Sequence, residues 1–381
     1  MDLSAKKVVF IDPWGTNNTS DYLNGILSGL NRCVRLEVFT NFFFDCKTEG
    51  IRLHRVFFKK SEKQKHGVLR KILRFFEYIR AYRKIVGYLR KNKDVDVVHI
   101  NWLLVYPVDA YFLKKIKKRT KKMVLTAHNV IPHINGEKKV GQLKRIYALF
   151  DSVVVHGNNI KAEFLSFFPE MGKKVYVQQM GANLFSNTAY DLKEVSGDVV
   201  NKVTQYRKIC IAFGLVFYNK GFDRLIAGWD AVPDDVLLVV CGKTLETYAE
   251  LDDALGKNQG LPNVLFINEY VSDNTLNYLI DSSSIVALPY RHASMSGVLF
   301  TAVDFRKTVV CTDVGSLPEY INSKDSFLCE NTDDSVVKKI ERIFHDFSSD
   351  EIAEMGKNYS ERLKQECSWE SIAGKLVRNC Y

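Results

Sequence analysis

No apolar run in the sequence approaches the roughly 18 to 20 residues that a membrane-spanning helix needs. The longest buried-looking stretches are strand-sized, such as Val236-Leu237-Leu238-Val239-Val240-Cys241. The opening residues, MDLSAKKVVFID, contain no hydrophobic signal core, so no secretory leader is expected and the cytoplasm is the default address. The eight cysteines (Cys33, Cys46, Cys210, Cys241, Cys311, Cys329, Cys367, Cys380) form no C-x-x-C and have no histidine at metal-ligand spacing. Several lie inside apolar strand patterns and read as small buried hydrophobes, not as bridges or zinc ligands. Repeats and low-complexity tracts are also missing. With 46% hydrophobic and 26% charged residues the composition is that of an ordinary globular chain. This excludes disordered, collagen-like and disulfide-scaffold classes. At 381 residues, two domains are expected.

Acidic residues are scarce in one place. Residues 52–93 hold fifteen Lys and Arg against Glu62 and Glu77, a surplus larger than the +10 of the whole chain, so the remainder is slightly acidic. A second basic cluster runs from Lys114 to Lys122. Within 67–92, Val68, Leu69, Ile72, Leu73, Phe76, Ile79, Ile85, Val86 and Leu89 fall at helical spacing, with Arg70, Arg74, Arg80, Arg83 and Lys84 between them. A basic amphipathic helix of this kind leans on an anionic membrane surface or an anionic lipid-linked substrate. Equally, it packs on a core and solvates a cationic face. Nucleic acid is a poorer fit, since no aromatic-basic interleaving suits base stacking.

Short β-branched runs alternate with helical patterns. Strands are expected at Val8–Asp12, Val34–Thr40, Ile51–Phe58, Val97–Asn101, Met123–Asn129, Ser152–His156 and Lys174–Met180, with helices near 20–30, 67–92, 107–118, 139–150 and 159–168. Residues 181–207 are polar and weakly periodic, which sets a domain boundary there. Alternation resumes with strands at Lys208–Gly214, Val236–Gly242, Val264–Val271, Ile285–Tyr290, Thr308–Asp313 and Phe327–Glu330. Helices are expected near 220–230, 245–255, 273–281, 297–306 and 333–347, and Ser368 is placed to cap a last helix at 369–379. The pattern predicts two α/β, doubly wound parallel-sheet domains in series, Rossmann-like, 1–182 and 183–365, with the terminal helix 366–381 packing back on the first. Ligands of such sheets bind at the carboxyl ends of the strands, and two facing domains place the site in the cleft between them.

Four loops carry the candidate chemistry. Asp12-Pro13-Trp14-Gly15-Thr16-Asn17-Asn18-Thr19-Ser20 is a polar turn before a helix, or simply a turn with an N-cap. Thr126-Ala127-His128-Asn129-Val130-Ile131-Pro132-His133 ends a strand, where His128 can hydrogen-bond a sugar hydroxyl or stabilise charge. Phe213-Gly214 through Lys220-Gly221-Phe222-Asp223 opens the second domain. Gly214 lets the backbone turn, and Lys220 is placed to clamp a diphosphate, or else is a surface lysine in a βα loop. In Leu288-Pro289-Tyr290-Arg291-His292-Ala293-Ser294-Met295-Ser296-Gly297-Val298 the free N–H groups of Ser296, Gly297 and Val298 suit an anion. Asp94-x-Asp96 invites a metal reading, but it precedes a strand at its N-terminal edge, so no metal site is expected.

The order of these pieces resembles GT-B glycosyltransferases, and within them glycosyltransferase family 4. The carriers are His128 after its strand, Gly214…Lys220-Gly221-x-Asp223, and the late block from Leu288 through Ser296-Gly297-Val298 to Thr308–Glu319. The resemblance implies a nucleotide-sugar donor, UDP- or GDP-linked, on the C-terminal domain and an acceptor on the N-terminal one, with no metal and no cofactor. It implies catalytic roles for His128 and Lys220. Donor contacts follow at Gly214, Lys220, Tyr270, Val271, Arg291, Ser294, Ser296, Gly297, Val298 and Glu319, with Tyr270-Val271 lining the nucleobase. Acceptor contacts are expected at Trp14, Asn17, Asn18, Thr19, Trp102 and His133. Two Glu usual in the late block are replaced by Ala293 and Thr301. The usual basic partner of the Lys is replaced by Leu215 or Phe217, with Arg291 as the substitute. The implied function is transfer of a sugar to a polysaccharide or lipid-linked glycan, with retention, in bacterial surface polysaccharide synthesis at the inner face of the plasma membrane. The missing Glu pair motivates the alternative of a degenerate binding or scaffold subunit. A GT-B phosphorylase would want a pyridoxal-binding Lys in a late strand, and none is evident.

Overall fold

The computed structural model describes residues 6–16, 20–64, 67–131, 136–181, 188–258, 260–293 and 296–381. They form two units, Met1–Asn183 with Cys367–Tyr381, and Leu184–Glu366. The boundary expected at 182/183 lies outside the described residues.

The first unit is built on seven strands: β1 (Lys7–Asp12), β2 (Arg35–Asn41), β3 (Arg52–Phe57), β4 (Val97–Ile100), β5 (Lys122–Thr126), β6 (Ser152–Val155) and β7 (Val175–Val177). Between them run α1 (Ser20–Cys33), α2 (Val68–Lys91), α3 (Tyr106–Lys117), α4 (Val140–Tyr147) and α5 (Asn158–Phe167). The strand order is β3-β2-β1-β4-β5-β6-β7 and every pairing is parallel. Parallel strands are covered on both faces, which explains their near-continuous apolar runs. Along β1, Val9 and Ile11 join the core layer beneath α2 to α5, while Val8 and Phe10 join the layer beneath α1.

The second unit repeats the plan. Its strands are β8 (Lys208–Phe213), β9 (Val236–Cys241), β10 (Val264–Ile267), β11 (Ile285–Leu288), β12 (Thr308–Thr312) and β13 (Phe327–Cys329). Their order is β10-β9-β8-β11-β12-β13, again all parallel. Its helices are α6 (Gly197–Val203), α7 (Phe222–Gly228), α8 (Ala249–Lys257), α9 (Asp273–Ser282), α10 (Gly297–Asp304), α11 (Ser335–Asp346) and α12 (Ser349–Glu366). A last helix, α13 (Trp369–Cys380), belongs to the first unit. Its cap is Ser368, whose hydroxyl accepts from the Ser371 N–H at 3.2 Å. It rests on α1 through two glycines: a Cβ on Gly29 would lie 2.1 Å from the Trp369 carbonyl oxygen, and one on Gly25 would enter the Trp369 ring.

Two helices escape the sequence pattern. Helix α6 lies inside the segment read as irregular. Helix α12 buries Ile352, Gly356, Tyr359, Ser360 and Leu363, a helical spacing whose glycine and serine give no hydrophobic signal. Helix α2 divides its roles along its length. Tyr78, Ala81, Tyr82, Ile85 and Leu89 are core, whereas Val68, Leu69, Ile72, Phe75 and Phe76 at its start are exposed, Val68 by 73% and Phe76 by 63%.

Candidate active site

Strand order reverses between β1 and β4 in the first unit and between β8 and β11 in the second. The loops leaving the carboxyl ends of those strands border the crevice in which such sheets take ligands. In both units these loops carry the predicted residues.

In the first unit, Asp12 ends β1 and is fully buried. One carboxylate oxygen accepts from the Trp14 N–H at 2.8 Å, the other from Asn101 Nδ2 at 2.5 Å. Burial pushes its carboxyl up to about 6, against these hydrogen bonds. With Nδ2 turned to Asp12, the Asn101 oxygen faces His128 Nε2 at 3.1 Å. A carbonyl oxygen only accepts, so Nε2 carries the proton and Nδ1 is the bare nitrogen. The His128 ring stacks on Trp102, centroids 4.1 Å apart, and lies 5.1 Å from the ring of His156. Burial and then the neighbouring imidazoles of His156 and His99 hold its pKa well below the usual range, so it is neutral at pH 7. Trp14, Asn101, Trp102, Thr126 and His128 line one cavity of about 420 Å³, with Leu104 and Leu143 supplying apolar wall. The Trp102 indole N–H is buried without a partner among the described residues. Trp14 also lies beneath the Arg74 guanidinium of α2, 4.9 Å from its ring centre.

In the second unit, Lys220 closes a 3-10 turn, Tyr218–Lys220, and its ammonium sits 3.9 Å from the Tyr290 ring centre. Burial lowers its pKa. Gly221 follows at φ +65, and a Cβ there would lie 2.1 Å from the Pro289 carbonyl oxygen, so only glycine lets the two loops touch. Asn219 completes the contact by accepting from the Arg291 N–H at 2.9 Å. Tyr290 is fully buried, and its hydroxyl pairs with Ser296 Oγ at 2.9 Å. Ser296 is the N-cap of α10, but its hydroxyl is turned to Tyr290 and makes no cap bond. The first-turn N–H groups of α10 therefore lack a side-chain partner from their own cap. One tyrosine thus links the ammonium to the anion-binding end of a helix.

The structure gathers Trp14, Trp102 and His128 in the first unit, and Gly214, Lys220, Ser296, Gly297 and Val298 around the β8 and β11 loops of the second. Arg291 is turned elsewhere. Its guanidinium makes a two-armed pair with Asp223, 2.8 and 2.5 Å, and donates to the Tyr218 carbonyl. Tyr270 and Val271 follow β10 at the sheet edge, with Tyr270 exposed by 72%. Glu319 lies in the 3-10 turn Leu317–Tyr320 after β12. Asn17, Asn18, Thr19, His133 and Ser294 lie outside the described residues. Asp94 and Asp96 bind Lys7 and Lys121 at the opposite end of the sheet from His128. Asp12 and Tyr290 stand in loops singled out from the sequence but had no role there, and Asn101 and His156 were read only as strand ends. Each stands at or just beyond the carboxyl end of its strand, the one signal that could have found them.

Residues 207–346 match the family model Glycosyl transferases group 1. No curated protein matches the sequence. Sucrose-phosphate synthase from Thermosynechococcus elongatus is 15% identical, with a TM-score of 0.65 and 98% of each chain covered. HepE of Anabaena in complex with UDP and glucose is also 15% identical, with a TM-score of 0.63 and 98% of each chain covered. An α,α-trehalose-phosphate synthase (UDP-forming) from Burkholderia vietnamiensis is 10% identical, with a TM-score of 0.66 over 98% of this chain and 99% of the other.

Proposed function

We propose that this chain, a glycosyltransferase by the family of its second unit and by its GT-B fold, moves a sugar from a UDP-linked donor to a glycan or lipid-linked acceptor. UDP is favoured over GDP because two of the similar structures bind or form it. The observation that carries the reading is the Lys220–Tyr290–Ser296 arrangement. It sets one ammonium and the uncapped amides of α10 at the reversal point of the second sheet. A leaving diphosphate gains negative charge as its bond to the sugar breaks, and fixed donors aimed at that charge stabilise the transition state. Lys220 supplies the cation. Arg291 holds the loop in shape through Asp223, so it is a positioning residue for Lys220 and not a second clamp.

The reading needs no metal, since ammonium and amides meet the phosphate charge. Ala293 and Thr301 stand where the usual pair of carboxylates would be. Transfer on one face of the sugar, the leaving phosphate taking the acceptor's proton, does without that pair and gives retention. The cavity of Trp14, Trp102 and His128 suits the acceptor: aromatic walls, an indole donor and a neutral imidazole recognise a saccharide. The exposed apolar start of α2, flanked by Lys71, Arg80, Arg83 and Lys84, supports docking on an anionic membrane where a lipid-linked acceptor resides. Among the described residues no helix is long and apolar enough to cross a membrane.

The test is a nucleotide-sugar screen by thermal stabilisation, followed by product analysis with a lipid-linked glycan. Stabilisation by a UDP-sugar and release of UDP on transfer are expected. Binding of neither UDP nor GDP would favour the scaffold reading.

A further inference from the structure

The second half of α2 has no role in the reading above. There α2 and α3 border a groove of about 590 Å³, within the size range of small-molecule sites. Its floor is apolar: Val86 and Phe112 belong to the core, and Ile79 and Val108 pack against it. Its rim is cationic. Arg83 and Arg90 of α2 are exposed, Lys115 of α3 is half-buried, and no Asp or Glu lines the groove among the described residues. Lys115 is held by Tyr111, its ammonium 4.1 Å from the ring centre and donating to the hydroxyl at 2.5 Å. Neither arginine has a carboxylate partner among the described residues. The groove also continues a surface already described. Ile72, Phe76, Ile79, Arg83, Val86 and Arg90 follow one another at three and four residues, so the exposed apolar start of α2 and the groove lie on one face of the helix. Apolar side chains lead along that face, and the cations stand at its far end.

We infer that this groove binds one anionic phospholipid, its phosphate met by Arg83, Arg90 and Lys115 and its acyl chains running along Ile79, Phe76 and Ile72. Charge and polarity select that occupant together. A free anion gains nothing from an apolar floor, and a lipid without net charge gains little from three cations that lack a carboxylate. An amphiphile with one negative headgroup uses both. A lipid seated here fixes α2 to a single headgroup, which goes beyond the docking of its start on a charged plane. Such binding depends neither on the phosphate grip of the second unit nor on the acceptor cavity of the first.

Short-chain lipids below their micelle concentrations test it, because no membrane plane is then present. Dihexanoyl-phosphatidylglycerol and dihexanoyl-phosphatidylcholine are titrated into the full chain, with inorganic phosphate as the free anion. Saturable binding of the glycerol lipid is expected, at least about tenfold tighter than the choline lipid, and phosphate at equal concentration should not compete. Gly87→Leu fills the groove without touching its charge. A Cβ on Gly87 meets nothing within 4 Å, and leucine favours a helix more than glycine does, so the fold should persist while binding falls at least about tenfold. Arg83→Gln with Arg90→Gln should remove most of the preference between the two lipids. Equal affinity of the unaltered chain for both lipids would overturn the inference, as would unchanged binding in Gly87→Leu. So would phosphate competing as well as the lipid does (a free-anion site only), or a dimer by sedimentation whose second copy closes the groove. UDP is titrated on the same sample: UDP binding without a lipid response removes the groove and leaves the transferase reading. A lipid response without binding of UDP or GDP does the reverse.

Discussion

The two sheets share one strand order and one reversal point, yet the groups above those points are electrostatic opposites. Around the first, burial drives four groups toward neutrality: Asp12 up, His99, His128 and His156 down. Above the second stand a lysine over a tyrosine ring and the start of a helix whose cap serine makes no side-chain cap bond. The same backbone plan therefore offers one place for hydroxyl groups and one for phosphate. What differs is whether the loop side chains are folded into a closed network or held out on a ring face. The plan supplies position, and a few residues at strand ends supply chemistry.

Removing the cation should erase the contrast most completely. Lys220→Ala is expected to lower turnover at least about a hundredfold with the fold intact, measured as UDP release against circular dichroism. Near-normal turnover would leave the second site without its distinguishing charge. The first site should respond less. Asn101→Ala frees the His128 tautomer, and about a tenfold loss in kcat is expected, with a second ring tautomer visible by 15N spectroscopy. A loss of activity with a single unchanged tautomer would assign Asn101 to packing alone.

Neutrality of the first site also predicts a pH signature in stability. His99 and His156 have folded pKa values of about 3 and about 4, below the ordinary 6.5. Between those limits the unfolded chain binds the extra protons, so their stabilisation is present above about 6.5 and is lost as pH falls. Each ring contributes a slope of about 1.4 kcal/mol per pH unit. Asp12 works the other way: its folded value of about 6 exceeds 3.8, so its term favours the fold at low pH and is lost as pH rises through 6. Net acid destabilisation is expected below about 6.5, shallower in His156→Phe and steeper in Asp12→Asn. A flat profile from pH 7 to 5 would show that these rings are not held neutral.

The smallest effect on the donor is expected at Arg291. Arg291→Ala strands Asp223 in a buried site and should destabilise the unit by about 3–5 kcal/mol. Pairing it with Asp223→Ala should recover part of the stability and leave UDP affinity within about twofold. A larger loss in the double variant would place the guanidinium on the donor after all.

The central strands were legible because parallel strands buried on both faces must be apolar at nearly every position, whereas edge strand β3 was found by its alternation of Leu53, Val56 and Phe57 with charged residues. Their ends were less so. His128-Asn129 and Asn268 through Val271 read as strand but lie beyond it, since local propensity does not register where a carboxyl-terminal edge turns into a site. Lys220, His128 and the Ser296-Gly297-Val298 turn were visible as residue types after strands. The capture of Arg291 by Asp223 was not, because the partners are 68 residues apart. Nor was the His128 tautomer, which depends on the direction of one amide.

The most direct measurement is calorimetric titration of the full chain and of Lys220→Ala with UDP. Saturable binding by the former, weakened about tenfold or more in the variant, is the predicted result. Equal affinity in both, or no heat from either UDP or GDP, would contradict a phosphate grip at this turn.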